Sequence, residues 1–350
     1  MQDLRFTPPN IPDDVLTDFL RQTYGVQGRL KRLAGERDQN IWVRPDHGNG
    51  YVFKIASPDE DAQLVDFQIK ALRHLEDTDP TLPVPRLVPA LDGAMETRLP
   101  MPDSGADYAV RLLTFLPGIP LSDAPAPGFE AISDIGALLG RVARAFVSFD
   151  HPASSHFMPW NILNGLVVSD MLIEQHLPVK LAADCAPVLA RLKGHSLPAM
   201  QALPSQVVHN DAHSGNLMCD PDNPAAICRL IDFGDMVRAP LVVEASTCLA
   251  SLLERQPDEA EICMTFLWGF QEHMDFTANQ RPLLRDAILA RLILTVQLLD
   301  YRVVNGLEGG AELAERDLPN AVAGLEAMLG RDGSDLDQAL ASLPTDGAHR

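Results

Sequence analysis

Two short stretches in the second half of the chain constrain its fold more than anything else in the sequence. VVHNDAHSGNLM at 207–218 sets His209, Asp211 and Asn216 in the spacing H-x-D-x-x-x-x-N, and RLIDFGD at 229–235 adds a second acid, Asp232, in a D-F-G triplet. Each stands beside an apolar, strand-like run, which suits delivery of polar residues to a cleft. Phosphoryl transfer requires this residue set. One carboxylate accepts the proton of an attacking hydroxyl, while an amide oxygen and a second carboxylate hold magnesium against the phosphates. Either motif alone is common; the two in this order are specific. Asp211 is the candidate base. Asn216 and Asp232 are the candidate Mg2+ ligands, hard oxygen donors of the kind magnesium prefers. Read without chemistry, Asp211 would cap a turn before Ser214-Gly215, and Asn216 would be a turn residue. His209 suits bracing by hydrogen bonds better than catalysis. Asp235 either caps the next segment or faces the substrate. Glu244 either braces His209 or serves as a first-turn helix acid.

The patterning around these motifs divides the chain. DDVLTDFLRQTY at 13–24 reads as a short amphipathic helix ended by Gly25. Three β-rich runs follow at 28–34, 40–45 and 51–56, the last two joined through an Asn49-Gly50 hairpin signal. A helix is expected from Pro58 to about Glu76, with Leu64, Phe67, Ala71, Leu72 and Leu75 on its apolar face. Further strands are expected at 88–98 and 108–115, before Pro117-Gly118 breaks the chain. Long helical patterns then cover 130–149, 179–193, 241–255, 259–275, 282–305 and 311–329. The pattern predicts a two-lobed α+β protein with a ligand cleft between lobes. Its parts are an antiparallel-sheet lobe with one inserted helix at 1–116, a mainly helical lobe at 117–335 carrying the catalytic and metal residues, and a tail at 336–350.

Composition excludes several classes. No apolar run among the 350 residues approaches the length of a membrane span. The start, MQDLRFTPPNIPDD, does not read as a secretory signal. Five cysteines without a CxxC pair (Cys185, Cys219, Cys228, Cys248 and Cys263) read as free thiols in a reducing cytoplasm. A formal net charge of −20 disfavours nucleic acid as a partner. It also repels a nucleotide triphosphate, so local cations must offset it; an amine-bearing substrate would be attracted, and solubility alone is an equally good reason for such a charge.

Lys54, in YVFKIA on the third strand, is the candidate phosphate lysine; an exposed strand lysine would show the same alternation. The acid expected to hold it from the following helix is missing, and Gln68 stands there as a neutral acceptor. The loop LAGERDQN at 33–40 would cover the phosphates, but it holds only Gly35 of a glycine-rich set. Thr114, Phe115 and Leu116 form a hinge-like end to the last strand, where backbone groups would meet a purine.

These motifs, with the hinge-like LLTFLPGIPL, resemble the aminoglycoside phosphotransferase and choline kinase superfamily over roughly 20–310. Within it the chain looks most like the hydroxylysine kinase branch, through Glu36 to Asn40 (ERDQN), YVFKIA, and MPWNIL at 158–163. The resemblance implies a protein-kinase-like two-lobed fold, magnesium-bound ATP or GTP as donor, and the hydroxyl of a small amine or amino alcohol as acceptor. It gives Asp211 the base role, Asn216 and Asp232 the metal roles and Lys54 the phosphate role. Gln68 departs from the superfamily's acid, and Asn161 follows Trp160 where an acid contacting a substrate ammonium is expected. Within the same class, homoserine, choline or ethanolamine, or an aminoglycoside are alternative acceptors. Two other readings compete: a nucleotide-binding regulatory module with weakened catalysis, and a metal-dependent oxygenase or hydrolase built on His209, Asp211 and His213.

Overall fold

The computed structural model describes residues 8–101, 105–165, 177, 179–220, 222–223, 226–254, 258–307 and 313–343. The first seven residues, the start of the helix expected from 311 and the end of the tail lie outside them. The chain divides into two compact units, Met1–Pro117 and Gly118–Arg350.

The first unit is built on an antiparallel sheet. Its strands are β1 (Arg29–Leu33), β2 (Gln39–Arg44), β3 (Tyr51–Ile55), β4 (Leu87–Val88), β5 (Thr97–Met101) and β6 (Ala106–Thr114), in the order β1-β2-β3-β6-β4, with β5 also paired to β6. The single strand expected at 88–98 is divided instead. Ala90 donates its amide to the Ala94 carbonyl at 2.8 Å and Gly93 takes φ 90°, a left-handed turn that separates β4 from β5. Strand alternation sorts the two faces. Ile41, Val43, Phe53, Ile55, Val110 and Leu112 face a core with Leu16 and Leu20, from helix α1 (Asp13–Phe19) and the π-helical turn Leu20–Tyr24 that extends it. Phe19, Tyr24 and Phe53 meet ring to ring in that core. Lys54 therefore projects from the opposite face. Helix α2 (Ala62–Thr78) begins where the Asp61 side chain accepts the Gln63 amide at 2.9 Å, and it buries Phe67, Gln68, Ala71 and Leu72.

The second unit is mainly helical. Its elements in chain order are β7 (Ile119–Pro120), α3 (Phe129–Phe146), α4 (Val179–Arg191), α5 (Leu197–Gln201), β8 (Gln206–Val208), β9 (Leu217–Cys219), β10 (Ile227–Leu230), β11 (Val237–Ala239), α6 (Leu241–Leu253), α7 (Glu259–Gln271), α8 (Leu284–Val304), α9 (Leu318–Leu329) and α10 (Ser334–Ser342). Every residue of α6 is buried, Glu244, Ser246, Thr247 and Ser251 included, so its polar groups need partners inside the protein. Its hydroxyls bond back along the helix, Thr247 Oγ1 to Val243 O at 3.1 Å and Ser251 Oγ to Cys248 O at 2.9 Å. Past the expected tail boundary, α10 buries Leu336 and Leu340. No described helix is long and apolar enough to cross a membrane. Cys185, Cys219, Cys248 and Cys263 are free and buried; the Cys228 side chain lies outside the described set.

Helices α3 and α7 approach each other through glycine. A Cβ at Gly269 would stand 1.9 Å from the Ser133 carbonyl oxygen, and one at Gly136 would stand 2.0 Å from that of Phe266. Backbone meets backbone here, so no side chain can yield. Gly269→Ala is expected to lower the thermal midpoint, with a loss on the order of 1–3 kcal/mol from overpacking. Gly194→Ala, where a Cβ meets nothing within 4 Å, should cause no comparable loss.

Candidate active site

Both sequence motifs become loops held at each end by a strand. The β8–β9 loop carries His209 to Asn216, and the β10–β11 loop carries Asp232 to Asp235. Because β8 pairs with β11 and β9 with β10, the two loops are bracketed by the same pair of ladders. A central residue draws them closer. Ile231 donates its amide to the Asn216 carbonyl at 3.0 Å and accepts from His209 Nε2 at 3.1 Å. Asp232 follows directly, close enough to His209 and His213 to favour the charged form of both. Asp211, Asn216, Asp232, His209 and Asp235 are thus brought together within one compact unit. Asn210 (φ 65°) and Asp232 (φ 61°) are the two described non-glycine residues in the left-handed region. Such conformations cost on the order of 1–3 kcal/mol and persist where the surroundings fix them.

Asp211 is clamped from two sides. Asn216 Nδ2 donates to its Oδ2 at 2.7 Å and to its carbonyl at 2.9 Å. Arg291 Nη2 donates to Oδ1 at 3.4 Å, while Nη1 donates to the Trp160 carbonyl at 2.7 Å with the guanidinium 5.3 Å from the Trp160 ring centroid. Arg291, on α8, is only 5% exposed, and burial lowers its pKa against the pull of Asp211 and Asp235. Sequence reasoning missed it. The available signal was a lone cation inside the apolar run ILARLILTVQLL.

The donor set fits a hard cation. Both Nδ2 bonds of Asn216 go to Asp211, which leaves its Oδ1 as a hard neutral oxygen, and Asp232 adds a carboxylate in the neighbouring loop, next to the Ile231 amide that bonds the Asn216 carbonyl. The oxygenase or hydrolase alternative does not fit. His209 Nδ1 accepts from the Asp211 amide at 3.2 Å and Nε2 is bound to Ile231, so neither nitrogen can ligate. Among the described residues, no three His, Cys, Asp or Glu side chains are grouped to hold a metal.

In the first unit, Lys54 pairs with a carboxylate from an unexpected place. Its Nζ lies 3.5 Å from Asp38 Oδ2, in the loop before β2, and Arg111 Nη2 lies 3.0 Å from the same oxygen. Gln68 Oε1, expected beside the lysine, accepts from Arg111. Gly35 is required by a close approach, since a Cβ there would stand 2.3 Å from the Asp38 carbonyl oxygen. Two of the three hinge amides are already committed. Thr114 donates to Arg86 O at 2.9 Å and Phe115 to Gly50 O at 3.0 Å, leaving the Leu116 amide. The Phe115 ring stacks on Trp42 at 4.1 Å between centroids.

His209 and Glu244 titrate in opposite directions from one buried spot. Burial pushes His209 down to about 4 and Glu244 up to about 7. The imidazole is neutral, with Nε2–H donating to Ile231. Glu244, in the first turn of α6, accepts the Asn210 amide at 2.9 Å. A histidine whose folded pKa is depressed stabilises the fold above its ordinary value near 6.5, and that contribution fades as pH falls toward 4. A carboxyl whose folded pKa is raised stabilises below 4.5, and that contribution fades as pH rises toward 7. The two slopes oppose each other. Glu244→Gln removes one of them, so its thermal midpoint is expected to drop more steeply than that of the native protein as pH is lowered from 6.5 to 4. Parallel melting curves for the two proteins across that range would refute the assignment.

Comparison with known proteins places this geometry. The profile of the Phosphotransferase enzyme family matches residues 29–275. The chain is 24% identical over 311 residues to hydroxylysine kinase of Danio rerio, covering 85% of each sequence. It is 23% identical over 298 residues to hydroxylysine kinase of Mus musculus, covering 78% of this chain and 77% of the relative. Among solved structures, a microcompartment-associated aminopropanol kinase matches with a TM-score of 0.71 at 15% identity, over 94% of this chain and 100% of that one. The amicoumacin kinase hAmiN, in complex with AMP-PNP, Ca2+ and Ami, matches with a TM-score of 0.65 at 16% identity, over 97% of each chain. The sheet-based first unit and helical second unit share the kinase-like fold of these neighbours. The family profile runs through both units and includes Lys54, Asp211, Asn216 and Asp232; the chain belongs to the Phosphotransferase enzyme family and is a phosphotransferase acting on hydroxyl groups of small molecules.

Proposed function

We propose that the enzyme transfers the γ-phosphoryl group of ATP or GTP to a hydroxyl of a small amino alcohol, with 5-hydroxylysine the first acceptor to test. The observation that carries the chemistry is the clamp on Asp211. Its carboxylate is oriented by Asn216 and Arg291, and Asn216's remaining amide oxygen is left for a cation beside it. The acceptor class is supported by the relatives. The Danio rerio and Mus musculus proteins are hydroxylysine kinases, and one of the structural neighbours is an aminopropanol kinase. Both kinds of acceptor carry an amine and a hydroxyl.

The residues divide the work. Asp211 orients the acceptor hydroxyl and takes its proton as the new P–O bond forms and the bond from the γ-phosphorus to the bridging oxygen breaks; the nucleoside diphosphate leaves with that oxygen. The bond from Arg291 to Oδ1 is long, so that oxygen keeps capacity to accept from a substrate hydroxyl. Lys54 pairs with phosphate oxygens in the first unit. Asn216 and Asp232 would hold Mg2+, which neutralises charge on the phosphates when bound. His209 holds the loop backbone and takes no proton in the reaction.

A coupled assay of nucleoside-diphosphate release, run with ATP and with GTP, tests the proposal against 5-hydroxylysine, ethanolamine, choline, homoserine, aminopropanol and an aminoglycoside. Release should depend on an amino alcohol and stop when EDTA removes divalent metal. Release independent of every acceptor would support the regulatory-module reading instead. Asp211→Asn is expected to cut kcat by about 10²–10⁴-fold, with nucleotide affinity held within a few-fold. Retained turnover would remove Asp211 as base.

A further inference from the structure

Lys54 and Arg111 sit directly opposite each other on the neighbouring strands β3 and β6. Like charges in that position repel, and these are nearly closed off from water, with side chains 10% and 2% exposed. A single carboxylate oxygen, Asp38 Oδ2, serves both cations at 3.5 and 3.0 Å. Strand register explains its reach. Asn40 pairs across the ladder with Lys54, so Asp38 lies just beyond the end of β2 on the lysine's side, and the tight approach at Gly35 folds the loop back on itself. Helix α2 contributes Gln68, whose oxygen accepts from Arg111 and adds no charge. Glu60 lies in the same electrostatic cluster, held above the ordinary carboxylate range by burial and then by Asp38, and pulled back by Arg111, Arg37 and Lys54.

We propose that Asp38 is the positioning partner of Lys54, the role left open by a glutamine on α2, and that Arg111 shares this carboxylate as a second cation beside the nucleotide phosphates. The inference rests on the reading of Lys54 as the phosphate lysine. Its consequence is electrostatic. Two cations sharing one carboxylate leave a net positive charge where an isolated lysine–glutamate pair would leave none, and a chain with a net charge of −20 needs that surplus to receive a triphosphate.

A double-mutant cycle tests it, using Asp38→Asn, Lys54→Met and the pair, with ATP as donor and the best acceptor from the panel above. Each single variant should raise the KM for ATP by about ten-fold, the scale of one hydrogen bond to a charged group, and leave the acceptor KM within about two-fold. The pair should fall clearly short of the product of the two single effects, because part of what Asp38 does is exerted through the lysine and the rest through Arg111. Asp38→Glu, which keeps the charge, should recover part of the loss. Effects that multiply in the pair, or an Asp38→Asn defect seen only in the acceptor KM, would overturn the role of Asp38 while leaving Lys54 in place. An unchanged ATP KM in Lys54→Met would overturn both. Thermal midpoints confirm folding, and Asp38→Ser carries the cycle where the Asn variant does not fold.

Discussion

The site depends first on one buried imidazole. His209 is fully enclosed, and burial keeps it uncharged. A neutral ring has one donor and one acceptor, and both are used on backbone. The Asp211 amide is received at Nδ1, and the Ile231 carbonyl is bound through Nε2. The ladders fix the ends of the two loops but not their middles. The histidine joins the middles, setting the peptide before Asp232 against the peptide of Asp211. A doubly protonated ring would present a second N–H to an amide that is itself a donor. Desolvation and hydrogen-bond chemistry therefore select the same tautomer, and Phe233 closes over the ring edge-to-face at 4.5 Å.

Charge is handled differently in the two units. Around Asp211 a single buried guanidinium faces acids from two loops, and its remaining donor capacity is spent on main-chain carbonyls, including those of Trp160 and Asn210. An arginine suits such a position because its donors are arranged in a rigid fork. In the sheet unit the ratio is reversed, with two cations gathered on one carboxylate. The chain as a whole carries a net charge of −20, and in both arrangements the countercharge is largely buried, where screening by salt is weak.

What was legible in the sequence was what is local in it. His209, Asp211, Asn216 and Asp232 lie within two short segments, so their spacing alone carried the motif. The strands around Lys54 announced themselves by alternation and a hairpin turn. The pairings of Asp38, Arg111 and Arg291 were invisible for the opposite reason, although Asp38 stands within the ERDQN motif. Arg111 meets Asp38 across 73 positions and Arg291 meets Asp211 across 80, and no period in the sequence encodes such pairings. Gln68 showed the limit from the other side. It stands on the helix where an acid is expected, and the pattern could not say that Lys54 meets a loop carboxylate, Asp38, while Gln68 accepts from Arg111. The expected strand at 88–98 failed locally, because Gly93 supplies a left-handed turn that propensity averaged over the window conceals.

Helix α6 carries a consequence for how the site comes into being. It has no wet face, and its first and last turns both reach into the β8–β9 loop, through Glu244 to the Asn210 amide and through Ser251 Oγ, which accepts the Ser214 amide at 3.1 Å. A segment of that kind gains its stability from what surrounds it and has little of its own in water. The loop it anchors therefore keeps its shape only while α6 stays packed, which ties the geometry around Asp211 to the packing of the helical unit.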